Sequence, residues 1–343
     1  MCKKNSDKKF SIGGCILKTL LSILVIVLLF AIINVLLVPG IAYLKKEGVR
    51  TYDNITNPHI NYYDRTYISA HRAGGDLAPE ETMSAFELCM NSDYTVDIVE
   101  FDLHITKDEK LVLLHDETIN RTSNATEQFN KDEVYAKDLT LEELKSLNFG
   151  ENFVDPDGKA PYKGLRGSDI PENVKIVTLN EILDYLTNVK SDLQYVIEIK
   201  NDEELGYKAM DILYETLVDY NLLNQTIVGT FHDKITKYID ETYPDVIRSA
   251  SIMEVLEFYV NYIYGSNAKH TYKFKFDVLQ IPVGTFIWDF GSASFINYAH
   301  KRNIAVQYWT INDVDEAQRL KNNGADCVMT DNPKAVYDKF NEK

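Results

Sequence analysis

Cysteine and positive charge are both scarce in this sequence of 343 residues. Four cysteines are too few for a disulfide scaffold of this size. Acidic residues outnumber basic residues by 52 to 36, for a formal net charge of −16. This balance argues against a general nucleic-acid-binding protein, because phosphate contacts need a basic surface. Internal repeats, GxxxxGK nucleotide loops and CxxC metal motifs are absent as well. The composition, with 45% hydrophobic and 26% charged residues, is that of a globular protein.

The charge is unevenly distributed along the chain. Residues 1–46 contain seven Lys and one Asp, whereas the remainder contains 29 basic and 51 acidic residues. A basic tail, residues 1–18, precedes residues 19–44. Residues 19–44 contain no charged side chain and include the apolar run LLSILVIVLLFAIINVLLV. About 20 helical residues, rising about 1.5 Å each, cross the apolar core of a bilayer. The sequence therefore predicts one transmembrane helix over 19–44, which anchors the protein in the cell membrane.

A cleaved signal peptide is the main alternative to this anchor. Its apolar region usually spans about 7–15 residues, and no A-x-A-like cleavage site follows Val38. Five lysines precede the span, and Lys45, Lys46 and Arg50 follow it. The positive-inside rule then predicts a cytoplasmic amino terminus and a body outside the cytoplasm. Residues 45–65, which are polar and rich in tyrosine, are predicted to connect the two.

Strand-like and helix-like patterns alternate over residues 66–343. The candidate strands are TYISAH, DIVEFDLHIT, YVIEIK, TIVGT, IRSASI, VLQIP, AVQYWTI and CVMT. This alternation predicts a parallel sheet covered by helices. Eight strands in a chain of this length predict an α/β fold, the (β/α)₈ TIM barrel. A doubly wound open sheet is the alternative, because periodicity does not show closure. Residues 120–173, rich in Asn, Asp, Gly and Pro, are predicted to form a small insertion.

Charged side chains occur in pairs near the ends of two candidate strands. Glu100 and Asp102 share one face of DIVEFDLHIT, because strand side chains alternate. Glu198 and Lys200 share a face of YVIEIK in the same way. Buried carboxylates are costly unless they meet a cation or strong donors, so a hard divalent metal is the natural partner. His104 continues the Glu100 face and is predicted to lie at the rim. Exposed carboxylates on an edge strand and a structural Glu–Lys pair are the alternatives.

Two histidines lie close to these carboxylates in the predicted barrel. His71 and Arg72 close the first strand, and His115 ends the apolar run LVLLH, followed by Asp116. Active sites of such barrels form at the carboxyl ends of the strands. Histidines transfer protons near neutral pH, and Arg and Lys stabilise anionic oxygens. Together the residues suit metal-assisted attack on a phosphodiester. Paired carboxylates would also serve a glycosidase, but the neighbouring cationic side chains favour an anionic substrate.

The order of these motifs resembles the glycerophosphodiester phosphodiesterase family. The resemblance rests on HRAGGDLAPEETMSAF, EFDLHITKDEKLVLLHDETINRTS, IVTLNEIL, YVIEIK, YWTIN and GADCVMTDNP, and it covers about residues 67–334. It implies a (β/α)₈ barrel that uses a divalent cation to hydrolyse glycerophosphodiesters to sn-glycerol 3-phosphate and an alcohol.

The resemblance also implies a role for each matching residue. His71 and His115 would be the acid/base pair. Glu100, Asp102 and Glu198 would hold one divalent cation, Ca²⁺ or Mg²⁺. Arg72 and Lys200 would face the phosphate, Trp309 would line the glycerol end of the pocket, and Glu80 would contribute to substrate binding.

This chain departs from the family pattern at two positions. The family's HRG is HRAGG here, so Ala73 replaces or displaces a glycine. PENT is PEET here, with Glu81 in place of asparagine. We expect Glu81 to be tolerated because negative charge suits a helix amino terminus. The acid/base and metal positions are all present, so we expect an active enzyme.

Three functions compete at this point. The leading one is a membrane-anchored hydrolase of small glycerophosphodiesters. A second is lysophospholipase D-like action on single-chain lipids, or hydrolysis of polyglycerol-phosphate polymers. The third is a membrane-anchored binding module without catalytic activity, which the intact histidines and carboxylates disfavour. The sequence leaves open the alcohol, the metal and the oligomeric state.

Overall fold

A computed structural model describes residues 12–32, 55–61, 65–264, 274–284 and 289–342. Over these residues the body is a barrel of parallel strands surrounded by helices. The strands are β1 (Tyr67–Ala70), β2 (Ile98–Ile105), β3 (Leu111–Leu113), β4 (Gln194–Ile199), β5 (Thr226–Gly229), β6 (Val278–Ile281), β7 (Ala305–Tyr308) and β8 (Cys327–Thr330). The α-helices are α1 (Ile12–Ile32), α2 (Met83–Asn91), α3 (Ala125–Phe129), α4 (Leu141–Lys145), α5 (Leu179–Val189), α6 (Glu203–Asp219), α7 (Asp233–Thr242), α8 (Ile252–Tyr264), α9 (Ala293–His300), α10 (Val314–Asn323) and α11 (Pro333–Asn341).

The strand order confirms the predicted barrel. The parallel strands follow one another as β5-β4-β2-β1-β8-β7-β6, and β3 pairs antiparallel with β2 outside this path. Two parallel bridges close the ring between β5 and β6, from Arg248 to Val228 and from Ser249 to Val278. The predicted strand IRSASI therefore occupies the remaining position of the barrel. The open-sheet alternative is wrong, because its two edges would have no such connection.

Alternation along β2 separates the two sides of the barrel wall. All eight residues of this strand are buried. Val99, Phe101 and Leu103 pack in the core cluster between the strands and the helices. Ile98 belongs to a separate cluster inside the barrel. Glu100 and Asp102, which share the face of Ile98, therefore point inward.

Residues 55–61 cover the amino-terminal end of the barrel. Ile60 is buried against the interior cluster that contains Ile98 and Val278. Asn57 Nδ2 donates to the carbonyl oxygens of Asp277 and Asn303, which precede β6 and β7. This part of the predicted connector is thus packed against the barrel.

The segment over residues 120–173 carries short helices and a core of its own. Ala125, Leu144 and Leu147 are fully buried in a cluster with Val112 and Ile119 at the end of β3. In this segment α4 begins at Leu141, with Thr140 and Glu143 in a capping box. The segment rests on the carboxyl-terminal side of β3, next to His115.

The structure does not support the predicted transmembrane helix. Of residues 19–44, those after 32 lie outside the described residues. Among the residues described, no helix is both long enough and apolar enough to cross a membrane.

Candidate active site

The site lies in a pocket at the carboxyl-terminal end of the barrel, where the sequence predicted it. All the predicted site residues except Glu80 line this pocket. Glu80 contacts Arg72, which lines the pocket. The lining residues used below are His71, Arg72, Glu100, Asp102, His115, Glu198, Lys200, Phe231, Gln280 and Trp309.

Three carboxylates form the floor of the pocket. Glu100 and Asp102 on β2 and Glu198 on β4 each offer an oxygen within 4.8 Å of the others. The parallel register that pairs Asp102 with Glu198 brings the two strands' carboxylates together. This geometry is that of a site for a hard cation with oxygen ligands.

The electrostatics of this cluster fit a divalent cation. Burial, reinforced by Asp102, raises the pKa of Glu100 to about 7. Both carboxylate oxygens of Asp102 are buried and accept no well-aligned hydrogen bond from any described residue. Such a group is costly to bury without compensation. Lys200 Nζ lies 2.9 Å from one of these oxygens, and a bound cation would add positive charge and offset the repulsion among the three carboxylates.

Two cationic side chains flank the carboxylates. Lys200 Nζ lies 2.8 Å from Glu198 Oε1 and 2.9 Å from Asp102 Oδ1. These two carboxylates raise the pKa of Lys200 despite its burial, so it is charged at neutral pH. Arg72 donates its backbone N–H to Glu100 Oε2 at 2.9 Å, and its Nε lies 3.9 Å from Asp102 Oδ2. Both cations line the same pocket as the carboxylates, as an anionic substrate requires.

His71 is held by a carboxylate that the sequence analysis did not single out. Its Nδ1 lies 2.5 Å from Asp331 Oδ1, and its Nε2 lies 4.0 Å from Glu100 Oε2. Asn312 Nδ2 donates to the other oxygen of Asp331 at 2.7 Å. Burial lowers the pKa of His71, but Glu100 and Asp331 outweigh it and raise the pKa.

His115 has an equivalent arrangement. Its Nδ1 lies 2.7 Å from Asp116 Oδ1, and Arg121 Nε donates to Asp116 Oδ2 at 2.5 Å. Burial lowers the pKa of His115, and Asp102 opposes that shift only in part. His104 is 4% exposed, and its Nε2 lies 3.4 Å from the carbonyl oxygen of His115. His104 lies outside the cluster of three carboxylates, and its position at the rim stays a prediction.

The two departures from the family pattern have specific structural consequences. Ala73 has φ +61° and is buried, so a residue with a side chain occupies a left-handed conformation that suits glycine. Glu81 is buried with φ +56°, and its Oε1 accepts the backbone N–H of Asp102 at 2.7 Å. Its carboxyl group is hydrogen-bonded to β2. The interaction expected from the sequence, with the amino terminus of α2, is therefore not the one observed.

Glu80 contacts two arginines. Its carboxylate accepts from both terminal nitrogens of Arg121, at 2.6 and 2.8 Å, and lies 3.3 Å from Arg72 Nη1. The structure thus places Glu80 behind the pocket, as a partner of the cations. Its predicted contact with substrate stays a prediction.

An aromatic pair forms one wall of the pocket. The rings of Trp309 and Phe231 meet edge to face, with centroids 5.9 Å apart. Lys200 Nζ lies 5.7 Å from the Phe231 ring centroid. Sequence reasoning missed Phe231, whose neighbour His232 has its Nε2 3.1 Å from the carbonyl oxygen of Lys200. The position of Phe231 directly after β5 was the available signal.

Comparisons with known proteins agree with this geometry. The sequence profile of the glycerophosphoryl diester phosphodiesterase family matches residues 71–335. A glycerophosphodiester phosphodiesterase from Caldanaerobacter subterraneus is 25% identical over 280 residues, which cover 79% of this chain and 96% of that protein. Human glycerophosphodiester phosphodiesterase 1 is 26% identical over 287 residues, which cover 78% of each chain.

A solved structure shows the same fold. It is a phosphodiesterase from Oleispira antarctica in complex with the product sn-glycerol-3-phosphate. The TM-score is 0.59 at 19% identity, and the match covers 80% of this chain and 97% of that chain.

Proposed function

Since this chain belongs to the glycerophosphoryl diester phosphodiesterase family, an enzyme family, we propose that it hydrolyses small glycerophosphodiesters to sn-glycerol 3-phosphate and an alcohol. In this proposal Glu100, Asp102 and Glu198 hold one divalent cation, Ca²⁺ or Mg²⁺, and His71 and His115 transfer the protons. The Oleispira antarctica phosphodiesterase binds sn-glycerol-3-phosphate, which is the product proposed here.

One observation carries the proposal. Two histidines, each with its Nδ1 against a carboxylate, line the same pocket as three clustered carboxylates and two cations. In each histidine the carboxylate favours a proton on Nδ1, which leaves Nε2 as the nitrogen that can exchange a proton with a substrate. A binding module would not need two such histidines.

The residues divide the work of phosphodiester hydrolysis. When bound, the cation would withdraw charge from the non-bridging phosphate oxygens. Arg72 and Lys200 would bind the same phosphate and offset its charge. One histidine would take the proton of the attacking oxygen at its Nε2, and the other would donate a proton to the departing alkoxide oxygen. Trp309 and Phe231 would exclude water from one side of the substrate.

A lysolipid substrate is the second candidate, because apolar side chains are exposed near the pocket. Phe231 lines the pocket and is 45% exposed. Ile252, Met253, Leu256 and Val260 are exposed on α8, which begins two residues after the pocket residue Ala250. An acyl chain could cover this surface.

The location of the body outside the cytoplasm stays a prediction.

The test is release of sn-glycerol 3-phosphate from glycerophosphocholine by the purified full-length protein, with and without a chelator. We expect release that depends on Ca²⁺ or Mg²⁺ and falls by at least about 100-fold in His71→Ala and in His115→Ala, as for loss of an acid/base group. Undiminished release in both variants, or no release from any diester with either cation, would refute the assignment. Release of choline from lysophosphatidylcholine, which leaves lysophosphatidic acid as the other product, tests the second candidate.

A further inference from the structure

Arg121 connects two loops that each carry part of the site. The loop after β1 carries Glu80, and the loop after β3 carries Asp116. The guanidinium of Arg121 binds Glu80 through both terminal nitrogens and Asp116 through Nε. Three of the five N–H groups of the planar guanidinium are then directed at these two carboxylates.

Asp116 is shared between Arg121 and His115. Its Oδ1 lies against His115 Nδ1, and its Oδ2 accepts from Arg121. Burial alone would raise the pKa of Asp116, but the hydrogen bond from Arg121 and the contact with His115 lower it to about 2. Asp116 is therefore an anion fixed at both oxygens, and it can hold the His115 ring in one orientation and one tautomer.

The other histidine is supported in the same way by different residues. Asp331 contacts His71 through one oxygen and Asn312 through the other. In both cases a histidine is held by a carboxylate, and the carboxylate is held by a planar donor group. Arg121 thus occupies for His115 the place that Asn312 occupies for His71.

The backbone of Arg121 is fixed from the insertion. Asn152 Nδ2 donates to the carbonyl oxygen of Arg121 at 2.9 Å. Although the Arg121 side chain is 47% exposed, both ends of the residue are therefore held.

We infer that Arg121 is a positioning residue that orients His115 through Asp116 and joins this histidine to Glu80 and Arg72. The inference rests on the proposed phosphodiesterase activity. It gives the insertion a role in building the site, because the insertion supplies both Arg121 and the amide that holds its backbone.

The experiment compares Arg121→Met, Arg121→Lys and a matched control, Arg166→Met. Arg166 lies in the same insertion, is 35% exposed and binds Glu151 and Glu127 in a similar way. Release of sn-glycerol 3-phosphate from glycerophosphocholine is measured for each variant of the full-length protein. We expect kcat of Arg121→Met to fall about 10–100-fold, as for loss of other supporting partners of a site. We expect KM to change less than about threefold, because Arg121 does not contact the substrate.

The lysine variant and the control decide the outcome. Arg121→Lys keeps the charge and loses the planar fork, so its kcat should lie between those of the wild type and Arg121→Met. Arg166→Met should keep wild-type kcat. Equal losses in Arg121→Met and Arg166→Met would overturn the inference in favour of a general effect on the insertion. A loss confined to KM would overturn it in favour of direct substrate binding.

A second measurement is independent of turnover and separates this inference from the proposed function. Nitrogen-15 NMR of the histidine side chains reports the tautomer of His115, assigned with His115→Gln. We expect the Nδ1-protonated form in the wild type and a mixture of tautomers in Arg121→Met. An unchanged His115 signal would refute the positioning role even if the wild type cleaved no diester. An inactive wild type with the expected NMR change would refute only the activity.

Discussion

The carboxyl group of Glu81 accepts the backbone N–H of Asp102 at 2.7 Å, so the loop before α2 is bonded directly to the strand that carries two of the three clustered carboxylates. Glu81 is buried, and burial together with Asp102 raises its pKa well above the usual range. The side chain is therefore a hydrogen-bond acceptor that supports β2 beside the cluster.

This hydrogen bond predicts different free energies of unfolding for two substitutions of Glu81. Glu81→Gln keeps an acceptor oxygen and should leave the free energy of unfolding within about 1 kcal/mol of the wild type. Glu81→Ala leaves the buried N–H of Asp102 without this acceptor and should lower that free energy by about 1–3 kcal/mol. Urea unfolding without added cation measures both. Equal stability of the two variants would contradict the supporting role of Glu81.

The left-handed conformation of Ala73 predicts that glycine is tolerated there. A non-glycine residue in this conformation costs about 1–2 kcal/mol, and glycine costs about 0.5–1 kcal/mol in additional backbone entropy. Ala73→Gly should therefore have the same free energy of unfolding as the wild type or gain up to about 1 kcal/mol. Gly74→Ala is the control, because Gly74 has φ +84° and a Cβ there would lie 3.3 Å from Pro333 Cδ.

Gly74→Ala should lower the free energy of unfolding by more than about 1 kcal/mol. Chemical denaturation of both variants gives the comparison. If Ala73→Gly were the less stable of the two, packing of the Ala73 methyl group would outweigh its backbone strain.

Cation binding should stabilise the folded protein, and the gain should increase with the logarithm of the cation concentration. A ligand that binds only the native state at 100 times its Kd adds about 2.7 kcal/mol to the free energy of unfolding. We expect Ca²⁺ or Mg²⁺ to raise the thermal midpoint of the wild type, and Asp102→Asn to abolish this rise. Asp157→Asn, at an exposed position, should keep it. Differential scanning calorimetry with and without chelator measures the shift, and an equal shift in Asp102→Asn would argue against the proposed ligand set.

Burial of His59 should make the stability depend on pH. Burial lowers the pKa of His59, although Gln194 and Asp326 oppose the shift. In the unfolded chain His59 is protonated near pH 6.5, whereas in the folded protein it stays neutral to a lower pH. The free energy of unfolding therefore decreases as the pH falls below about 6.5. The slope from one such group is at most about 1.4 kcal/mol per pH unit. His59→Gln should show a smaller loss of unfolding free energy between pH 7.5 and pH 5.5, on the order of that single-group effect, and an unchanged slope would contradict it.

The barrel and most of its site could be predicted from the sequence because both follow periodic patterns. Alternation along DIVEFDLHIT places Glu100 and Asp102 on one face, and the structure shows that face inside the barrel. The segment IRSASI was predicted to be a strand, and its residues Arg248 and Ser249 form the parallel bridges that close the ring. These features depend on neighbours within a few residues.

The contacts that support His71, Glu80 and Glu81 could not be predicted, because they join residues far apart in the chain. His71 and Asp331 are separated by 260 positions, and Arg121 and Glu80 by 41. The motif GADCVMTDNP contained Asp331, but nothing local indicated that it would contact His71. Glu81 was interpreted from the nearby helix start, whereas its observed partner lies on β2. Local charge therefore predicted the wrong interaction for Glu81.

The packing of residues 55–61 also determines where a fusion partner or an immobilising tag can be attached. These residues cover the end of the barrel opposite the pocket, so the chain enters the barrel from its closed side. A fusion partner or an immobilising tag joined directly to residue 55, in place of the residues before it, would begin at the end of the barrel opposite the mouth. Substrate could then reach Trp309 and Phe231 without passing the attachment point. Amino-terminal fusions are consequently the suitable format for handling this enzyme on a surface while its activity is measured.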